Sequence, residues 1–163
     1  MKQLLYLLIL TLATISLLWA EETTNQPTRT PMSDKIEKTD AEWKQLLTPV
    51  QYHVLREKGT EPPFRNEYND LHEAGIFKCA ACGKELYSSA AKFESGTGWP
   101  SFSQPIAPDA VRTETDRKFF IKRTEVLCAG CGGHLGHVFE DGPKPTGLRY
   151  CMNSAAMKFE KQP

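Results

Sequence analysis

Neither sign of charge is in excess in this chain. Its 163 residues carry 20 Lys and Arg against 20 Asp and Glu, with no block of either sign. A nucleic-acid groove or a polybasic membrane patch needs such a block, so both partner classes are set aside. Nothing repeats along the chain except two C-x-x-C knuckles. Cysteine is scarce and odd in number, and five thiols cannot all pair within one chain. The length suits one domain with a proper core and not comfortably two.

What is present begins with a leader. Lys2 precedes an apolar run from Leu4 to Trp19, broken by Thr11, Thr14 and Ser16, and Ala20 is followed by the polar Glu21-Glu22-Thr23-Thr24. That order reads as a secretory signal peptide over residues 1–20, so the protein is expected to be exported, periplasmic or secreted. Leu18 stands where cleavage prefers a small residue, which keeps an uncleaved N-terminal membrane anchor as the alternative, although the run is short for a span. No cysteine ends the leader, and a bacterial lipoprotein is excluded. Residues 21–35 are Thr, Pro, Asn, Ser and charge, the composition of a flexible linker. The domain is expected over 36–160.

Two helices open it. Thr39-Asp40-Ala41-Glu42 has capping-box form and leads into Trp43, Leu46 and Leu47 on one side of a short helix. Thr48-Pro49-Val50-Gln51 repeats the device, and Gly59 is the expected left-handed stop. His53 within it reads as helix surface. Beyond Pro62-Pro63 the pattern is short β segments between Gly, Pro and Asp turns. The candidates are Ile76–Cys79, Glu85–Tyr87, Val111–Glu114, Lys118–Cys128, His134–Phe139, Leu148–Asn153 and Met157–Glu160. The domain reads as mainly antiparallel β with a helical N-terminal section.

Cys79-Ala80-Ala81-Cys82-Gly83 and Cys128-Ala129-Gly130-Cys131-Gly132-Gly133 share one design. Two thiolates two residues apart can face one tetrahedral ion, and small neighbours admit backbone N–H groups to the sulfurs. Two such knuckles make a closed four-cysteine site, for which zinc is the first choice and a structural role follows from the filled coordination sphere. A finger separates its pairs by roughly 12–20 residues, whereas 45 residues lie between Cys82 and Cys128. The ion therefore staples distant parts of one domain. Two disulfides are the competing reading in an oxidising compartment. A thioredoxin-like redox pair is weaker still, because no βαβ pattern surrounds either knuckle.

Cys151 remains. In an extended Arg149-Tyr150-Cys151-Met152-Asn153 the Arg, Cys and Asn side chains share one face. A cation and amide donors beside a thiol favour the nucleophilic thiolate, and a buried structural cysteine is the plainer reading. His134 and His137, three residues apart, supply acid/base or substrate-orienting groups near neutrality. Gly96-Thr97-Gly98-Trp99-Pro100 holds out an aromatic ring, which either plugs the core or walls an apolar pocket suited to a small sulfur compound.

These residues carry a resemblance. Gly59–Phe64 (GTEPPF), Ser95–Phe102 (SGTGWPSF), both knuckles, His134–Asp141 (HLGHVFED) with Gly142-Pro143, and Arg149–Phe159 (RYCMNSAAMKF) together resemble the methionine-R-sulfoxide reductases of the B-type. The resemblance implies two antiparallel sheets, one structural zinc per subunit on Cys79, Cys82, Cys128 and Cys131, and Cys151 as nucleophile. It implies His134, His137, Arg149 and Asn153 around the sulfoxide, with Trp99 and Phe139 binding the substrate. Cys151 would attack the sulfoxide sulfur, His137 or His134 would assist the departing oxygen, and Cys151 would be left as sulfenic acid. Many members carry a resolving cysteine where this chain has Thr97. The expected reductant is therefore an external thiol, thioredoxin-like or small, acting on a monomer. The rival of a different class is a zinc-ribbon binding module without catalysis.

Overall fold

The computed structural model describes residues 35–118 and 121–162, so the leader and most of the linker lie outside the described residues. Helix α1, Asp40–Leu46, starts at a complete capping box: Thr39 Oγ1 accepts the Glu42 N–H, and the Glu42 carboxylate accepts the Thr39 N–H at 2.7 Å. Helix α2, Pro49–Glu57, repeats this with Thr48 and Gln51. The inward stripe of α1 is narrower than the sequence pattern. Trp43 and Leu47 are buried, but Leu46 is 60% exposed. The left-handed residue after α2 is Lys58, at φ 55°, and not Gly59. Gly59 has a different neighbour, since a Cβ there would press on the His53 ring, an exposed side chain that would have to move. Lys58 is held by its ammonium, which donates to the Glu125 carboxylate at 2.8 Å.

Among the described residues nine strands follow: β1 Gly75–Cys79, β2 Glu85–Ser88, β3 Lys92–Phe93, β4 Ser101–Phe102, β5 Val111–Lys118, β6 Ile121–Cys128, β7 His134–Phe139, β8 Arg149–Met152 and β9 Met157–Lys161. They form two antiparallel sheets, a small one in the order β2-β1-β9 and a six-stranded one in the order β3-β4-β8-β7-β6-β5. The expected single strand over Lys118–Cys128 is divided between two strands of a hairpin: Lys118 ends β5 and Ile121–Cys128 is β6. Strand β5 runs on to Lys118 and pairs with Ile121, the first residue of β6. No Gly, Pro, Asn or Asp marks the corner of the hairpin in Lys118-Phe119-Phe120-Ile121, so the usual turn chemistry is missing from the sequence.

The two sheets share an aromatic core. Phe77 of β1 is fully buried and meets Phe102 of β4 edge-on at 5.0 Å and Phe159 of β9 at 5.0 Å. Tyr87 of β2 stacks on Phe102 at 4.4 Å, and its hydroxyl donates to the Met152 sulfur of β8 at 3.2 Å. Phe77 thus joins both sheets. Replacing it by Ala leaves a ring-sized void, and we expect a loss of about 3–5 kcal/mol with the fold otherwise retained. Urea unfolding checks this, with a lower midpoint at an unchanged slope as the expected result.

Candidate active site

Strand β8 lies inside the larger sheet, with β4 on one side and β7 on the other. Cys151 is paired with Ser101 across β4 and with His137 across β7. Gly136 permits the close approach of β7, because a Cβ there would collide with the Cys151 carbonyl oxygen. Cys151 opens into a cavity of about 120 Å³ walled by Trp99, Phe139 and Met152, with His137, Asn153, Thr60 and Arg123 adding polar groups. The Trp99 ring is fixed by its indole N–H, which donates to the Glu61 carbonyl at 3.0 Å. Thr97 Oγ1 stands 4.0 Å from the Cys151 sulfur.

The two histidines come together through an irregularity. In a regular strand, residues three apart face opposite sides. Here the β6–β7 register shifts by one residue, so that Val126 pairs with Gly136 but Leu127 with His134. The extra residue on β7 is a bulge, and bulges re-aim side chains. The two imidazoles meet edge-to-face at 5.4 Å. His137 lines the Cys151 cavity, and its Nε2 sits 2.9 Å from an Asp116 carboxylate oxygen that also accepts from Arg123 at 2.7 Å. His134 lines the neighbouring cavity beside Lys58, Glu57 and Glu125. Its Nδ1 lies 2.7 Å from Glu125 Oε1, and its Nε2 is buried without a partner among the described residues.

Arg149 begins β8 and Asn153 follows its last residue. Asn153 Nδ2 donates to the Leu135 carbonyl at the bulge, 3.0 Å away. Arg149 is buried, and its Nε and Nη2 make a two-point bridge to Asp141, both bonds at 2.8 Å, with the guanidinium 4.5 Å over the Phe139 ring. Arg149 therefore braces the ring that walls the cavity and is not itself among the lining groups.

The four remaining cysteines form a second, separate cluster. Their sulfurs all lie within 4.8 Å of one another, and the nearest contacts cross between knuckles: Cys79 to Cys131 at 3.7 Å and Cys82 to Cys128 at 3.5 Å. Disulfide sulfurs sit about 2.05 Å apart, so these are free thiols. A tetrahedron with metal–sulfur legs of about 2.3 Å has sulfur–sulfur edges of about 3.8 Å, and the observed contacts fit it. Gly83 and Gly132, at φ 78° and 70°, make the left-handed turn after each pair. The four thiols could bind one metal ion, and as a closed set they leave no site for substrate on it.

The SelR domain model matches residues 47–161 of this chain. The chain belongs to the SelR-domain family. Among its relatives, the peptide methionine sulfoxide reductase MsrB of Methanosarcina mazei is 60% identical over 129 residues, covering 79% of this chain and 92% of the relative. The protein of the same description from Bradyrhizobium diazoefficiens is 58% identical, over 78% of this chain and 91% of its own. That of Leptospira interrogans is 53% identical over 80% of this chain and its whole length.

In this SelR-domain protein the resting thiol is not the thiolate expected from its flanking cation. Burial pushes the Cys151 thiol up, and it outweighs the Arg149 charge and the Thr97, Arg149 and Ser101 hydrogen bonds that pull it down. His137 moves the other way, lowered first by burial and only partly restored by Asp116. Near neutrality the proton therefore rests on sulfur and the imidazole is neutral. Several residues of this arrangement escaped the sequence reading. Thr60, Asp116, Arg123 and Glu125 come from other strands or loops, and only register brings them here.

A thiol is reactive to alkylation above its pKa, so a raised pKa moves the reactivity curve to higher pH. Iodoacetamide modification of Cys151, followed by peptide mass in the metal-loaded protein, is expected to show a midpoint above the ordinary thiol value of about 8.5. Arg149→Met should move it higher still. A midpoint below the ordinary value would contradict the dominance of burial.

Proposed function

We propose that this protein reduces methionine-R-sulfoxide in peptides and proteins to methionine, with Cys151 as the nucleophile and an external thiol as the reductant. The observation that carries the reading is Cys151 itself, the one thiol outside the four-sulfur cluster, at the floor of a cavity with Trp99 and Phe139 as walls. An aromatic wall favours a thioether methyl group, whose sulfur and carbon contact ring faces and edges well. His137 and Asn153 face the same space with polar groups suited to the sulfoxide oxygen. The relatives named above are described as peptide methionine sulfoxide reductases. The R epimer follows from the family resemblance.

The chemistry then runs in two halves. The Cys151 proton leaves the sulfur by way of His137, and the sulfur attacks the sulfoxide sulfur. The substrate's sulfur–oxygen bond breaks as the sulfur–sulfur bond forms, its oxygen leaving as hydroxide with the proton passed through His137. That hydroxide then attacks the Cys151 sulfur, the sulfur–sulfur bond breaks, and Cys151 is left as a sulfenic acid. Two electrons have moved from the cysteine sulfur to the substrate sulfur, and methionine leaves. A first external thiol condenses with the sulfenic acid, releasing water and forming a mixed disulfide. A second displaces Cys151 as the thiol and departs as a disulfide with the first. Thr97, 4.0 Å from Cys151, stands where a cysteine could have closed an internal disulfide, and a hydroxyl cannot do so. The Asp116 carboxylate orients the His137 ring, and burial keeps it neutral enough to pass a proton both ways.

Cys79, Cys82, Cys128 and Cys131 would hold one zinc ion, which supplies a structural crosslink there. The leader read at residues 1–20 would place the activity outside the cytoplasm as a repair of oxidised proteins. A binding module built on a zinc ribbon leaves the walled cavity at Cys151 without a purpose, and the crossed sulfur contacts argue against either knuckle as a redox pair.

The test is a racemic mixture of peptide-bound methionine sulfoxide with dithiothreitol, each epimer followed by chiral chromatography. Loss of the R epimer alone is expected, falling by at least about 10³-fold in Cys151→Ser. Turnover of neither epimer by the folded, metal-loaded wild type would move the protein to the binding-module class.

A further inference from the structure

Asn153 precedes the short 3-10 turn Ser154–Ala156, with extended backbone angles of φ −80° and ψ 130°. An Asn in that place ordinarily turns its side-chain oxygen back onto the free N–H groups of its own turn. Asn153 makes no such bond. Its Oδ1 accepts instead from the backbone N–H of Glu61 at 3.1 Å. The orphaned N–H groups of the turn are taken by the Glu61 side chain, Ser154 N–H by Oε1 and Ala155 N–H by Oε2 at 2.8 Å. One residue thus draws the amide away with its main chain and supplies the missing cap with its side chain.

Three further facts give this arrangement weight. Glu61 is only 8% exposed, and a buried carboxylate is expensive unless its oxygens are fully bonded. Its main-chain carbonyl also receives the Trp99 indole N–H at 3.0 Å, so the same residue ties the aromatic wall to the polar end of the cavity. Pro62 and Pro63 follow directly, and two fixed φ angles stiffen the segment that delivers it.

We infer that Glu61 is a positioning residue for the reaction: by capping the Ser154–Ala156 turn it releases Asn153 to face the Cys151 cavity. This rests on the sulfoxide-reduction reading above. With the carboxylate gone, the turn's N–H groups compete for Asn153 Oδ1, and the amide turns out of the cavity. The substrate still meets Trp99 and Phe139, so turnover suffers more than binding.

The experiment is a double-mutant cycle on the metal-loaded protein with peptide methionine sulfoxide and dithiothreitol. Glu61→Gln keeps the size but sets an N–H₂ against one backbone N–H. It should lower kcat by about 10-fold or more while KM changes by less than about threefold, and Asn153→Ala should do the same. The pair combined should fall no more than about twofold below Asn153→Ala alone, because both changes remove one function. Glu61→Asp, with the charge kept and the reach shortened, should reproduce the pattern and serves where the Gln variant does not fold. Losses that multiply in the double variant, or a folded Glu61→Gln within about twofold of wild type, would overturn the inference while leaving the reductase reading intact. Failure of both Glu61 variants to fold would assign the residue to stability and overturn it equally. A folded wild type without turnover overturns both readings.

Discussion

Everything at the site depends on β8 being held from both sides. An edge strand would leave half of its main-chain groups to solvent or to a stray partner. Here Cys151 is paired to Ser101 on β4 and to His137 on β7, so the sulfur is carried on a backbone with little freedom to move. The pairing sets the neighbours as well as the position. His137 stands directly across from the thiol because the register puts it there, and Gly136 lets the strands close without a Cβ in the way. One residue further on, Leu135 at the bulge offers its carbonyl to both donors of Asn153, the main-chain N–H at 2.9 Å and Nδ2 at 3.0 Å. A reactive group placed on a rigid element is held more accurately than one on a loop.

The two sheets are fastened at two places, and the fastenings have different physics. The aromatic cluster of Phe77, Phe102, Tyr87 and Phe159 excludes water between them. The four-sulfur cluster joins the end of β1 and its turn to the end of β6 and its turn. That link spans the 45 residues counted between the knuckles, and closing a long loop removes much of the unfolded chain's freedom. Among the described residues neither fastening lines the Cys151 cavity, and the aromatic one reaches its wall through the Tyr87 hydroxyl on Met152. The fold therefore gathers four thiols in one cluster and sets the fifth apart in a cavity of its own.

Much of this was legible in the sequence, for reasons tied to particular residues. Both capping boxes are local, and local signals are read without knowing the fold. The knuckles and the unpaired Cys151 are matters of spacing and count. The losses are equally specific. Leu46 fits a helical stripe, yet α1 buries Trp43, and Leu47 is buried at its C-cap. Gly59 looked like the left-handed stop, but it lies against the exposed His53 ring, and Lys58 takes the positive φ with its ammonium on Glu125. The β5–β6 hairpin was hidden because its corner lacks turn residues. Asp116, Arg123 and Glu125 belong to the site through cross-strand register, and a bulge brings His134 to His137. No single strand's sequence records either. The thiolate expected from Arg149 failed for a further reason: sequence proximity placed the cation but could not weigh burial against it.

The central claim is that one thiol reacts and has no partner within the chain. The most direct measurement is a single turnover without reductant, with one equivalent of R-sulfoxide and a 1,3-diketone that traps sulfenic acid. Mass mapping should find the trap on Cys151 alone, one methionine released per chain, and the four knuckle thiols unmodified. An oxidised Cys151 found in a disulfide with any knuckle cysteine, or the trap on a knuckle cysteine, would contradict the account.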